Sequence, residues 1–476
     1  VDYRPEDTYT LPKASDEQKR ALIAMRSANT IIEAVAGAGK TTTVLYAATI
    51  FTRQSILLLT YNAKLKFETR DRCDLLGLRN IEVHSYHSFC VRYIDGACST
   101  DEGIIKYLRG TLRRAASGFD GEHVEDEPIV FPKYDRIIID EVQDMTFTYY
   151  EIATRIMARS PTALICILGD QRQSVYGFNG ADSRFLRLAA PAFGGDWNHT
   201  HLSVSYRVTH QIAAFVNMAT GAVCGGTGYM VATKDGDLPR YVFSDSSLST
   251  VIDEVQFHLA HYSVEDIFIL APSVRGAPKS PINRLSNALS KKGYPVYMPS
   301  DDDRRLDEAV LKGKLVFSTF HQAKGLERKV VIVMGFDASY YMYYNKQAPR
   351  DECPNEIYVA ITRAIERLTL IHLGKTAILP FLDLAQVHRH CTVIGTISVP
   401  TTPSDNDKDV RVTDLIRHVS TSVLTAMMKA VTVEIVVPAD ERIDIPTTTC
   451  QTDPFGDTLR EEVSDITGTA IPAYYQ

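Results

Sequence analysis

Short apolar runs recur along the chain, each ending in small or polar residues and each followed by a helix-like stretch. The earlier set is TIIEAV at 30–35, SILLLT at 55–60, RIIID at 136–140 and ALICILG at 163–169. The later set is DIFILA at 266–271, KLVFST at 314–319, KVVIVMG at 329–335 and RLTLIH at 367–372. Runs of this kind, alternating with helical patterns, predict parallel strands joined by crossover helices. They are numerous enough for two sheets. GGDWNHTHL at 194–202 sets Gly-Gly and polar residues between the two sets and predicts the division there.

The expected organisation is a first α/β domain over 1–200, a second over 201–395, and a linker with a small C-terminal α+β or extended region over 396–476. Residues 94–133 carry helix-like patterns and the acidic patch DGEHVEDEP, which suits a small insertion in the first domain. SVPTTPSDNDKD is a linker by composition, and the following segment predicts an amphipathic helix opened by Thr413 or Asp414.

At 476 residues, two or three domains are expected. Hydrophobic residues at 45% and charged residues at 23% match a folded globular protein. The formal net charge of −7 argues against a generally basic coat, so any polyanion must be met by a local groove. The cysteines form no C-x-x-C pair, which suggests neither a zinc knuckle nor a disulfide framework. No apolar run approaches the ~20 residues that span a bilayer, and the N-terminus lacks signal-peptide character. A soluble, intracellular setting is expected, and the start at Val1 suggests a processed or trimmed product.

IIEAVAGAGKTTTVL at 31–45 brings small residues and two glycines between a strand and a lysine followed by threonines. Such a turn lets main-chain N–H groups converge on a phosphate at the start of the next helix. Gly37 and Gly39 supply the tight turn, Lys40 can reach the β and γ phosphates, and Thr41 offers a hydroxyl to Mg²⁺, although Ala34 stands where the bare P-loop pattern has its first glycine. About a hundred residues on, RIIIDEVQD is an apolar strand ending in Asp140 and Glu141, a carboxylate to hold the metal and a neighbour to orient the attacking water.

From Gln18 to Arg363 the chain resembles superfamily 1 helicases of the UvrD/Rep type. Their glycine loop commonly reads A-x-A-G-x-G-K-T, as AVAGAGKT does here. DEVQD is similar to their DEAQD form, LGDQRQSVYGFNGA to their third motif, SYRVTHQIAAFVN to the fourth, STFHQAKGLE to the fifth and YVAITRA to the sixth, all in order. The resemblance implies two RecA-like parallel-sheet domains in tandem that hydrolyse ATP with Mg²⁺ between them. It implies that Gln18 reads the adenine edge, Tyr206 stacks on it, and Glu327 sits near the ribose. Ala36, Gly37, Ala38, Gly39, Lys40, Thr41 and Thr42 would hold the phosphates, and Thr41 and Asp140 the metal. Glu141 would be the catalytic base, Gln173 the γ-phosphate sensor, and Arg207 and Arg363 arginine fingers, in keeping with the charge that spreads over a transferring phosphoryl group. Taken singly, each arginine reads as a surface salt bridge; the motif lifts it above that.

For nucleic acid, Phe178 occupies the family's stacking position and Tyr61 matches the aromatic of the segment TYN, with Asn62 beside it. His87 in SYHSF, Tyr176, Thr319 and His321 complete the expected contacts with single-stranded DNA and duplex junctions. Stacking serves because every base has a π-face; the competing reading of Tyr61 and Phe178 is as core residues beside short strands. Only 208–317 separate the fourth and fifth motifs, and those residues are needed for the second sheet, so the family's large second insertion is expected to be absent or vestigial.

The resulting expectation is an ATP-dependent DNA helicase moving 3′ to 5′, the polarity being implied by the resemblance alone. The alternatives are a DNA-stimulated ATPase that strips proteins or acts on RNA without unwinding, and a nucleotide-switched binding module. Glu141, Gln173, Arg207 and Arg363 speak against the last, since a switch could dispense with catalytic groups. The tail LREEVSDITGTAIPAYYQ resembles the start of nuclease-like regions but lacks a complete D…E-x-K set, and residues 396–476 could equally dock a protein partner.

Overall fold

The computed structural model describes residues 9–396 apart from residue 62 and the stretches 118–130, 245–247, 276–279, 301–305 and 307. The Asn62 contact and the expected helix near Thr413 therefore lie outside the described residues, as does the rest of the C-terminal region beyond residue 396.

All the apolar runs become strands. The first sheet contains β1 (Asn29–Ala34), β2 (Ile56–Thr60), β3 (Ile81–Ser85), β4 (Arg136–Ile139), β5 (Leu164–Gly169) and β6 (Trp197–Leu202), in the spatial order β3-β2-β4-β5-β1-β6. β7 (Val204–Ser205) and β8 (Val231–Ala232) form a short parallel pair. The second sheet contains β9 (Arg240–Ser244), β10 (Ile267–Ala271), β11 (Val296–Tyr297), β12 (Leu315–Thr319), β13 (Arg328–Met334), β14 (Ala364–Leu373) and β15 (Thr392–Ile394), ordered β11-β12-β10-β13-β14-β9-β15. Every pairing within both sheets is parallel. These are the two parallel-sheet α/β layers that the sequence predicts.

The central strands β2, β4, β10 and β12 are buried at every position, which is why they read as unbroken apolar runs. β6 departs from expectation. Its residues WNHTHL lie in the stretch assigned to the division, yet they pair in full register with β1 from Asn29–Trp197 to Ala34–Leu202. An edge strand with one face in solvent needs few apolar side chains, and only Leu202 of β6 is fully buried. Of the expected insertion at 94–133, the structure describes a 3-10 turn at Gly96–Ser99 and a helix at Asp101–Ser117. No helix among the described residues is long and apolar enough to cross a membrane.

Local signals set the helix that precedes the first strand. In α1 (Asp16–Ser27), Ser15 and Gln18 form a reciprocal capping box, with Asp16 and Glu17 in the first turn and Arg26 in the last. In α2 (Lys40–Ile50), by contrast, the N-cap is Gly39 and no side chain closes the first turn.

Buried histidines make the fold acid-sensitive, His84 and His258 foremost and His372 in the same direction. His84 on β3 is 2% exposed and His258 on the Leu248–Leu259 helix is 1% exposed, its Nε2 2.8 Å from Thr369 Oγ1. Burial, with Arg70 beside His84 and Arg240 beside His258, pulls both imidazoles down to about 4. The unfolded chain therefore binds protons near pH 6.5 that the folded chain refuses until about 4. Stability is complete above the unfolded value and is lost as pH falls through this window. Thermal unfolding followed by circular dichroism should give a midpoint that drops from pH 7 to pH 5, with a shallower drop in His258→Gln; a flat midpoint in the parent contradicts this account.

Candidate nucleotide and nucleic-acid site

The loop between β1 and α2 is shaped by backbone conformations that side chains resist. Gly37 and Gly39 have φ of +76° and +80°. Gly37 has a second constraint, because a Cβ there would lie 2.5 Å from Arg207 Cβ. Ala36 and Ala38 are buried, and Ala38 N–H donates to Val35 O at 3.2 Å. Thr41 and Thr42 are half-buried on the first turn of α2, where a helix leaves amides without intrahelical partners. Gln18 braces this turn from α1: its Nε2 donates to Thr43 Oγ1 at 3.3 Å and reaches Gly39 O at 3.5 Å.

Facing the loop is a buried cluster of carboxylates at the ends of β4 and β5. Lys40 Nζ lies 3.1 Å from Glu141 Oε1. Burial alone would lower the Lys40 ammonium's pKa, but Glu141, Asp140 and Asp170 outweigh it and hold the group above its ordinary value. Burial, then the charge of Glu141, pushes the Asp140 carboxyl up. Glu141 moves the other way: burial opposes ionisation, but Lys40 and Lys324 overcome it and hold the carboxylate ionised. Glu141 also has φ of +55°, the left-handed backbone that is costly for a non-glycine residue and that clusters at functional sites. Gln143 Nε2 donates to Glu141 Oε2, and Gln143 Oε1 accepts from Asp170 N–H at 3.1 Å.

The second half of the chain closes over this cluster. Tyr206 N–H donates to Gly37 O at 3.0 Å and Ser205 Oγ to Ala36 O at 2.7 Å, so the segment carrying Tyr206 and Arg207 lies directly on the loop. The Tyr206 side chain is 45% exposed. Arg207 Nε pairs with Glu327 and its Nη1 donates to Thr362 O at 3.3 Å. Arg363 is buried, with Nε on Val359 O at 3.0 Å and Nη2 on Gln173 Oε1 at 3.1 Å. Burial, then the neighbouring Arg207 charge, lowers its pKa to about 9. Lys324 Nζ donates to Asp144 Oδ2 and to Gln173 O, and sits 4.9 Å from the Tyr176 ring centroid. Burial pushes Asp144 up to about 6 even with Lys324 opposing it.

Beyond Gln173 the aromatic side chains form a continuous track. Tyr86 stacks on Tyr149 at 4.4 Å, Tyr149 meets Tyr61 edge-on at 6.3 Å, and Tyr61 stacks on Tyr176 at 5.6 Å. Tyr176 meets Phe178 at 6.2 Å, and Phe178 meets His321 across the two halves at 5.5 Å. Phe178 is 66% exposed, so it is not the core residue of the competing reading. Tyr61 is half-buried and belongs as much to the packing of the first sheet as to the track. His87 Nε2 lies 2.9 Å from Asp101 Oδ1, and His321 Nε2 4.0 Å from Glu356 Oε1. Thr319 is buried, and its hydroxyl accepts from Gln322 N–H at 3.1 Å.

The structure thus joins the loop, Asp140, Glu141, Gln173, Arg207, Arg363 and Glu327 in one contact network, and Tyr61, Tyr176, Phe178 and His321 in the aromatic track beside it. Sequence reasoning gave no role to Gln143, Asp144, Asp170, Lys324 or Tyr358, although each stands inside a quoted motif. Their signal was position in those motifs, and what was missing was which atom each would meet.

Residues 18–179 match the model of an AAA domain, and residues 284–375 match the UvrD-like helicase C-terminal domain. A protein of Acanthamoeba polyphaga mimivirus, provisionally named an ATP-dependent DNA helicase, is 24% identical over 388 residues, covering 75% of this chain and 53% of its own length. F-box DNA helicase protein 1 of Schizosaccharomyces pombe is 39% identical over 96 residues, 20% of this chain and 10% of that protein. The chain thus spans about half the length of the first relative and a tenth of the second. The solved arterivirus nonstructural protein 10 (helicase) covers 74% of this chain and 61% of its own, with 13% identity and a TM-score of 0.36, a likeness too slight to bear on the fold. Both matched segments carry motifs of that contact network, one from each sheet, and the chain belongs to the UvrD-like superfamily 1 helicases.

Proposed function

We propose that the chain is an ATP-dependent motor that binds ATP between its two sheets and moves 3′ to 5′ on single-stranded DNA, separating strands at duplex junctions. We assign the two sheets as the moving domains, the first running through Leu202 of β6 instead of ending at the expected residue 200, the second continuing to about residue 395. The observation that carries this reading is the convergence of Arg207 and Arg363, from the second half, on the loop of Gly37 and on Gln173.

The side chains suit the triphosphate and its metal. The amides of the α2 first turn have no side-chain cap competing for them, and the hydroxyl of Thr41 with the buried Asp140 carboxylate is a hard-oxygen donor set of the kind Mg²⁺ takes. Mg²⁺ held there would neutralise charge on the β and γ phosphates. Lys40 leaves Glu141 for the phosphates when ATP enters. Glu141, freed from one ammonium, then accepts a hydrogen bond from the attacking water and its proton. Gln173 and the two arginines clamp the transferring group, so that charge developing on it meets planar donors already in place. Tyr206 and Gln18 bound the base, and Glu327, released by Arg207, faces the ribose. The aromatic track holds single-stranded bases by stacking, with Phe178 at its exposed point. Closing and opening of the cleft alternates the grip.

Lys40→Ala should lower DNA-stimulated ATP hydrolysis by at least about 10²-fold, the scale for removing one preorganised charge-stabilising donor; parent-rate turnover on added single strands would show that the nucleotide lies elsewhere. Gly37→Ala should abolish turnover in a folded protein, because its Cβ strikes Arg207 and the backbone is left-handed there; near-parent activity would mean that the loop and Arg207 are not held this closely. Phe178→Ala should weaken single-strand affinity by about 1–3 kcal/mol for the stacked base, read by fluorescence anisotropy with DNA and RNA oligonucleotides. Strand displacement on duplexes with 3′ or 5′ tails decides polarity, and displacement only from 5′ tails rejects the direction proposed.

A further inference from the structure

Tyr358 belongs to the Asn355–Ile361 helix of the second half, is 1% exposed, and has no part in the contacts described so far with phosphate, metal or base. Its hydroxyl donates to Asp170 Oδ2 at 3.0 Å and accepts from Ala36 N–H at 3.3 Å. One oxygen of a side chain from the second half thus joins the backbone of the glycine-loop segment to the carboxylate at the end of β5. Asp170 in turn caps the 3-10 turn Gln171–Gln173: Oδ1 accepts from Arg172 N–H at 3.0 Å and Oδ2 from Gln173 Nε2 at 2.8 Å. One turn back on the same helix, Asn355 Nδ2 donates to Ser174 O at 2.9 Å and Gln171 O at 3.3 Å, gripping the far side of that turn. Three residues past Gln173 stands Tyr176 of the aromatic track.

We propose that Tyr358 is a positioning residue that transmits the nucleotide state of the loop to the nucleic-acid track, through Asp170 and the Gln171–Gln173 turn; this rests on the motor reading above. Ala36 N–H belongs to the loop that must adjust when phosphates enter, and any shift there alters the one hydroxyl that also holds Asp170. Asp170 cannot change partner without moving Gln173, whose side chain it orients, and the turn carries Tyr176 with it. The second observation behind the path is the Asn355 clamp, which fastens the same turn to the same helix, so that helix and turn move as one piece. Coupling requires an element that both sites bias, and this turn is in contact with both.

The test is Tyr358→Phe, which keeps the buried ring and removes only the hydroxyl. Single-strand affinity is measured by anisotropy with and without a non-hydrolysable ATP analogue, alongside melting temperature and ATP turnover. In the parent the analogue should change the single-strand Kd by about fivefold or more, the lower end of ordinary coupling between sites, and in Tyr358→Phe the ratio should collapse to within about twofold. A folded Tyr358→Phe protein that keeps the parent ratio overturns the proposal, whatever its turnover. A variant that fails to fold, or one with a lower melting temperature and an unchanged ratio, also overturns it, because the hydroxyl then serves stability alone. Asn355→Ala, which loosens the same turn from its other side, should reduce the ratio as well, and an unchanged ratio there removes the path through the turn. A parent that binds neither nucleotide nor single strands fails the motor reading instead, and is recognised before any variant is made.

Discussion

One ammonium among buried carboxylates is the constraint on which the site depends. Asp140, Glu141 and Asp170 end neighbouring strands of a parallel sheet, and all three feel Lys40. Burying that much negative charge is costly unless it is paired and hydrogen-bonded. The cost is offset locally: Lys40 pairs with Glu141, Gln143 donates to it, and Tyr358 and Gln173 donate to Asp170. The strained backbone of Glu141 is held in place by the same contacts. Loop, strand ends and turn therefore form one electrostatic unit rather than three neighbouring features.

The aromatic track obeys a different economy. Its inner members, Tyr86 and Tyr149, are buried beside the first-sheet core and gain from apolar burial, while Phe178 at its outer end stands in solvent. A large apolar ring kept exposed at the meeting of two halves, edge-on to His321 of the other half, has no packing explanation of its own. The buried end fixes the geometry, and the exposed end is the part that bases would meet on the reading proposed above. Lys324, over the Tyr176 ring and on Asp144, ties this track to the acidic cluster.

Much of this was legible in the sequence because its strongest signals are local. Unbroken apolar runs required strands buried on both faces, and the glycines of the loop required a backbone that other residues resist. β6 was not legible: an edge strand keeps its polar side chains in water, so WNHTHL carries no apolar signature, and its register comes from β1 beside it. The roles of Asp170 and Tyr358 were hidden for a related reason. Their partners lie 188 residues apart in the chain, and spacing within a motif says nothing about which backbone a hydroxyl will meet. The pairing of Glu327 with Arg207 was likewise invisible, since each residue type has its own reason to be in its motif.

On the motor reading proposed above, the distribution of charge across the seam would let the two halves part again. The first half presents carboxylates at Asp140, Glu141, Asp144 and Asp170, and the second half presents cations at Arg207, Lys324 and Arg363. These cations have partners within the protein: Arg207 has Glu327, Lys324 has Asp144, and Arg363 has Gln173. A triphosphate entering the cleft must exchange such contacts rather than simply add new ones, because each guanidinium has a fixed number of donors to direct. The net gain of closure is then a difference between two well-satisfied states, smaller than the sum of the new contacts. The proposed motor would need that small difference, since a nucleotide bound by uncompensated charges would draw the halves together once and hold them there.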